Sequence, residues 1–173
     1  RQANQNEKAA ALGEKMQASG KASEDVLLVM LDHYARAKDA AKVERTAAAM
    51  VEMMKTKAAP AGVDAAAWEK KKATVSGIGL HVLGVTYSNA GKFGQADKTL
   101  REALPLLDND QMKAEALFHL GLANYKMGAG AKDGSKLILE ALKFNQQCAA
   151  IKSPFQAQAN TNIRAIRTQY RIK

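Results

Sequence analysis

Along most of the chain, apolar residues recur every three to four positions, the spacing that gives an α-helix one buried face. Leu27, Leu28, Leu31, Tyr34 and Ala35 mark such a stripe on a helix over about 24–37. Val43, Ala47, Met50, Val51 and Met54 mark another over 40–57. Ala96, Leu100, Ala103, Leu104 and Leu107 do the same over 94–107, and Leu137, Ile138, Ala141 and Leu142, with Phe144 beside them, over 134–150. A first helix is predicted over 5–18 with Ala10, Leu12 and Met16 inward, and an eighth up to about 171 on Ile163, Ile166 and Tyr170. Two more stretches, 64–90 and 111–127, are helical in spacing. No segment alternates with the period of two that a half-buried strand requires.

The breaks between these stretches carry helix-ending and helix-starting chemistry. Gly20 suits the end of the first helix, and Ser23 caps the second, with Glu24 and Asp25 at its positive end. Pro60 interrupts the chain after the third helix, and Asp64 caps the fourth. "DND" at 108–110 caps the sixth, and Ser153 with Pro154 is expected to start the eighth. Three glycines, Gly77, Gly79 and Gly84, interrupt the fourth helix. Each would cost an isolated helix about 1 kcal/mol relative to alanine, so close helix packing is expected there.

One phrase is written twice. "LGVTYSNAGKF" at 83–93 and "LGLANYKMGAG" at 120–130 stand 37 residues apart, and "EAL" follows each, at 102–104 and 140–142. Periods of 20–50 residues mark stacked structural units. In the first copy Leu83, Gly84, Tyr87, Gly91, Phe93, Ala96 and Ala103 resemble the signature of the tetratricopeptide repeat family. The second copy departs from it: Tyr125 sits one position late, one residue is inserted in the turn, and Gly134 takes the small-residue position. A third, degenerate unit over 24–57 keeps Tyr34 and the rhythm of the turn without Leu-Gly.

The resemblance implies an all-α fold: a right-handed superhelix of stacked antiparallel helix pairs, about eight helices in a single domain over 1–173. Its units would span 24–57, 64–108 and 111–150, with a capping helix over 153–171. In that family the first helix of each pair lines a concave face that holds a peptide. Carrying the pattern across places His81, Val85, Ser88 and Asn89 on that face from one unit. Phe118, His119, Leu122, Tyr125 and Lys126 follow from the next, and Asp32 and Arg36 from the degenerate one. The Lys/Arg/Asn set with which some members grip a C-terminal carboxylate is replaced here by Glu115 and apolar residues. The function implied is non-enzymatic binding of a peptide or protein partner.

Composition agrees with packed helices: 47% apolar residues, 5% aromatics and three prolines. The net charge of +9 is uneven. Residues 111–173 hold ten Lys/Arg against three Asp/Glu, which leaves seven of the nine positive charges there. Arg164, Arg167, Arg171 and Lys173 form a basic stripe, so binding to a nucleic acid or an anionic surface is the alternative reading. No phosphate loop, HExxH or CxxC occurs, and no two of His33, His81 and His119 are four apart. Accordingly no catalytic set, metal or cofactor is expected. Cys148 is the only cysteine and reads as a small core residue. No apolar run reaches the ~20 residues that cross a bilayer. A start at Arg1, with a first helix resembling the second half of an earlier unit, is expected of a processed or truncated product. A removed export signal, as in an exported periplasmic protein of a bacterium, would explain that start, and so would an artificial truncation of the chain.

Overall fold

The computed structural model describes residues 2–172, with side chains over 7–172. Eight α-helices follow one another: α1 (Gln2–Ala18), α2 (Glu24–Arg36), α3 (Ala40–Thr56), α4 (Ala65–Asn89), α5 (Phe93–Ala103), α6 (Asp110–Ala129), α7 (Ser135–Ala149) and α8 (Gln156–Tyr170). A 3-10 turn, Leu104–Leu106, extends α5. No strand occurs among the described residues. Each helix packs on the next, and α4 additionally touches both α2 and α6.

The caps are side-chain oxygens accepting from backbone N–H groups: Ser23 from Val26, Asp39 from Lys42, Asp64 from Ala67 and Asn109 from Met112. Three junctions share one turn. At the ends of α1, α2 and α4, the N–H of Lys21, Asp39 and Lys92 donates to the carbonyl of Met16, Tyr34 and Tyr87. In each, the residue before the donor is left-handed: Gly20 at φ 68°, Lys38 at φ 57° and Gly91 at φ 73°. The ends of α2 and α4 thus turn alike, although one has Lys38 where the other has Gly91.

Glycines set how closely the pairs approach. A Cβ on Gly84 would lie 2.5 Å from Leu100 Cγ, and one on Gly77 would lie 2.9 Å from Leu106 Cβ. Descending α4 while ascending the α5 segment makes this pair antiparallel. In the α6–α7 pair, Gly121 lies against Asn145 and the Ala141 carbonyl, and Gly128 lies against the backbone of Gly134. The two pairs are not in the same register. A shift of 37 carries the end of α4 to Lys126, but α6 continues to Ala129. The extra turn of helix slides α7 along α6, so Gly121 meets Asn145 rather than the counterpart of Leu100.

The core is built in blocks along the chain. Leu27, Met30, Leu31, Tyr34, Val43, Met50 and Met54 form the first, between α2 and α3, reaching Val75 of α4. Leu100, Leu117, Leu120, Phe144 and Cys148 form the second, and Ile138, Leu142 and Ile166 join α7 to α8. Beside the first block, Glu24 is buried with both oxygens 2.6 Å from an ammonium, Lys57 on one and Lys71 on the other. Both ammoniums stand over the ring of buried Trp68, at 5.9 and 5.8 Å from its centre.

Two expectations are corrected. Leu12 is 59% exposed rather than inward; Gly13 takes the inward position, where Met30 presses against its bare Cα. The third helix, expected over 40–57, runs Ala40–Thr56, so its end stands as expected. Ser153 and Pro154 do not start α8: the Ser153 hydroxyl accepts from the Phe155 N–H within a turn, and the helix begins at Gln156. Phe155 is held there by Phe118, whose ring centre is 5.3 Å from its own.

Candidate functional site

An open pocket of about 280 Å³ lies where α6, α7 and α8 meet. Leu122, Tyr125 and Lys126 line it from α6, and Asn162, Ala165 and Ile166 from α8. Gly121 and Asn145 close its floor. The helical spacing explains the grouping. Leu122, Tyr125 and Lys126 are three and four apart on α6, as are Asn162, Ala165 and Ile166 on α8, so each set forms one face.

The floor exists because Gly121 has no side chain. Asn145 is fully buried in the space that a Cβ there would need. Its Nδ2 donates to the Ala141 carbonyl at 2.8 Å. A carbonyl only accepts, so this bond fixes which way the amide faces. Asn145 Oδ1 therefore meets Asn162, whose Nδ2 donates to it at 3.0 Å, and Asn162 Oδ1 accepts from Gln158 Nε2 at 3.0 Å. At the C-terminal end of α8, the Tyr125 hydroxyl donates to Gln169 at 2.9 Å, and its ring meets Tyr170 edge-on with centres 6.5 Å apart.

Of the residues expected on a concave face, only these three of α6 gather at the pocket. His81, Ser88 and His119 are buried between α4 and α6 instead. His119 Nδ1 is 2.9 Å from the Ser88 hydroxyl, and burial pushes the His119 pKa down from its usual value. His81 Nε2 lies 3.4 Å from Glu115 but out of alignment, and among the described residues neither of its ring nitrogens has a hydrogen-bond partner. The imidazole beside it holds the Glu115 carboxyl below the ordinary carboxylate value. Val85 is half-buried against the second core block, and Phe118 is half-buried between His119 and Phe155. Asn89 is exposed at the end of α4. Asp32 and Arg36 are exposed on α2 and pair with each other at 2.8 Å, away from the pocket.

Arg164, Arg167 and Arg171 are exposed, and none makes an ion pair among the described residues. Lys173 lies outside the described residues. At about 100° per residue, Arg164 and Arg167 occupy a different side of α8 from Asn162 and Ala165, and Arg171 follows the helix as its left-handed cap. Cys148 is buried, donates to the Ala114 carbonyl, and has its thiol pushed up to about 11 by burial, which leaves it almost no thiolate at neutral pH.

Sequence reasoning did not single out Asn145, Asn162 or Ala165. Asn145 had a readable signal: it falls on the inward register of α7 set by Ile138, Ala141, Leu142 and Cys148. A polar residue on a buried stripe must find partners. Among the described residues no group of three or more His, Cys, Asp and Glu side chains is placed to hold a metal, and no helix is long and apolar enough to cross a membrane. No protein-family profile matches the chain, and no curated protein or solved structure matches it either.

Proposed function

We propose that the chain is a non-enzymatic interaction module built from divergent tetratricopeptide-type repeats. It takes a peptide or protein segment on the face shared by α6 and α8. The finer architecture in this proposal is a right-handed superhelix of antiparallel pairs, with α8 as its capping helix. The observation that carries the binding reading is the pocket itself. Three side chains named from the repeat pattern, Leu122, Tyr125 and Lys126, line it together with a helix from outside their own unit. The shared turns at the ends of α2 and α4 support the repeat reading. Pockets lined by apolar walls and a few polar groups are the usual form of a recognition site.

The test is an Ala165→Trp variant, which fills the pocket from an exposed position on α8. Wild type and variant, matched in helical content, are used as bait in lysate of the source cells. A protein held by wild type and lost by the variant is the expected result. Identical recovery by both would sink the reading.

The unpaired, exposed arginines of α8 favour a second reading, binding of a nucleic acid or an anionic surface. It requires affinity that falls steeply with salt, and a loss on Arg164→Glu with Arg167→Glu. No retardation of RNA or DNA at low salt, together with no binding to anionic vesicles, would end it.

A further inference from the structure

The hydrogen-bonding groups of the α6–α8 pocket are committed unevenly, and the imbalance specifies a ligand. Each amide oxygen on the floor already accepts one bond: Asn145 from Asn162, and Asn162 from Gln158. Each amide nitrogen donates only one of its two hydrogens, to the Ala141 carbonyl from Asn145 and to Asn145 from Asn162. Asn145 is sealed beneath Gly121, so its second hydrogen is out of reach, whereas Asn162 is only half-buried. The Tyr125 hydroxyl has committed its proton to Gln169. Lys126 is exposed at the rim and makes no ion pair or hydrogen bond among the described residues. Among the described residues no carboxylate lines the pocket. A ligand therefore meets an ammonium and an amide N–H as donors, in front of Leu122, Ala165 and Ile166. The acceptor lone pairs beside them, on the Tyr125 hydroxyl and the Asn162 amide oxygen, are neutral, so the charged group among these is the cation.

From the ammonium of Lys126 and the free N–H of Asn162 on one pocket we infer that it recognises an acidic side chain, Asp or Glu, of a bound peptide, with a neighbouring aliphatic side chain seated on Leu122 and Ile166. The inference rests on the peptide-binding reading above. The orientation of the amides is part of it. The Ala141 carbonyl fixes Asn145 and Asn145 fixes Asn162, so Asn162 has its second N–H to offer, beside the remaining lone pair of its amide oxygen. The charge of the whole last third, ten cations against three anions over residues 111–173, draws in the same kind of segment.

The experiment selects a phage-displayed library of random 12-residue peptides on the immobilised chain. The survivors are then synthesised for binding to wild type, Lys126→Glu, Asn162→Asp and Ala165→Trp. All three positions are exposed or half-buried, and circular dichroism verifies each fold. The expected result is enrichment of peptides pairing Asp or Glu with an aliphatic residue. Their binding should weaken about tenfold or more on Lys126→Glu or Asn162→Asp, and should vanish on Ala165→Trp. An exposed charge pair alone contributes a smaller, salt-sensitive part of this. The Asn162 side-chain amide signals in a 1H–15N spectrum should shift on binding. Peptides that lose binding on Ala165→Trp but carry no acidic preference would overturn the inference and leave the groove standing. Peptides indifferent to Ala165→Trp would overturn both.

Discussion

Glutamate 24 is the group whose removal should be felt most clearly. It opens α2, is 6% exposed, and accepts from Lys57 at the end of α3 and from Lys71 in α4, so one carboxylate ties three helices. The hydrogen bonds from Lys57 and then Lys71 pull its pKa from 4.5 to about 2. At about 1.4 kcal/mol per unit, that shift corresponds to about 3 kcal/mol as an upper bound. The ammoniums are 37% and 47% exposed, and solvent screening reduces the contribution to about 1–2 kcal/mol. The folded pKa is depressed, so the stabilisation is complete above the unfolded value near 4.5 and is lost as pH falls from there toward 2. Glu24→Gln should therefore lower the unfolding midpoint by about 2–8 °C at pH 7, from the usual 2–4 °C per kcal/mol in a chain of this size. The gap should close as both proteins are taken through that acid range. Circular dichroism gives the midpoints. Trp68, the chain's only tryptophan, gives a local signal, since both lysines sit over its ring. Equal midpoints at pH 7, or a gap that stays constant down to pH 2.5, would refute the reasoning.

The glycines should sort by what they face. Gly84→Ala drives a methyl onto Leu100 and should cost about 1–3 kcal/mol in urea unfolding, and Gly134→Ala, which meets the Gly128 backbone, should cost more. Gly79→Ala meets only the end of the flexible Met50 chain, 2.7 Å away, and gains helix propensity of about 1 kcal/mol, so it should fall within about 1 kcal/mol of wild type. Lys38→Gly should raise stability by about 0.5–1 kcal/mol, because lysine is held at φ 57° where Gly20 and Gly91 serve elsewhere, and Lys38→Ala should show no such gain. Burial lowers the His119 pKa, so the neutral ring is favoured in the fold and stability should begin to fall below about pH 6.5, the unfolded value; His119→Gln should remove that part of the pH dependence in a urea titration.

Helix positions were legible because they depend on local spacing and caps, as Ser23 and Asp64 show. Leu12 was not, since an apolar residue on a polar helix carries no sign of which side meets α2. The register of α7 on α6 was hidden for a related reason. The repeated phrase predicts where Gly121 lies on its own helix, but three more residues of α6 decide what it faces. The same slip hides the site. Leu122, Tyr125 and Lys126 follow from the repeat pattern, whereas Asn162 and Ala165 reach them only through the path of α8 across the pair. His81, Ser88 and His119 share the helix face expected of groove residues, yet α4 and α6 lie against each other and bury all three.

Helices that pack chiefly on their neighbours in sequence have a consequence for how the chain acquires its shape. Most contacts close over a few dozen residues, so little chain entropy is lost before a pair begins to reward itself. Any antiparallel pair can start, and growth can proceed from it in either direction. The same locality grades the finished molecule. α8 meets the rest chiefly through α7, and opening it would undo the α6–α8 pocket while leaving the block around Leu31 and Met50 intact. A ligand bridging α6 and α8 would hold down this end helix, and occupancy of the pocket would register as slower hydrogen exchange along α8.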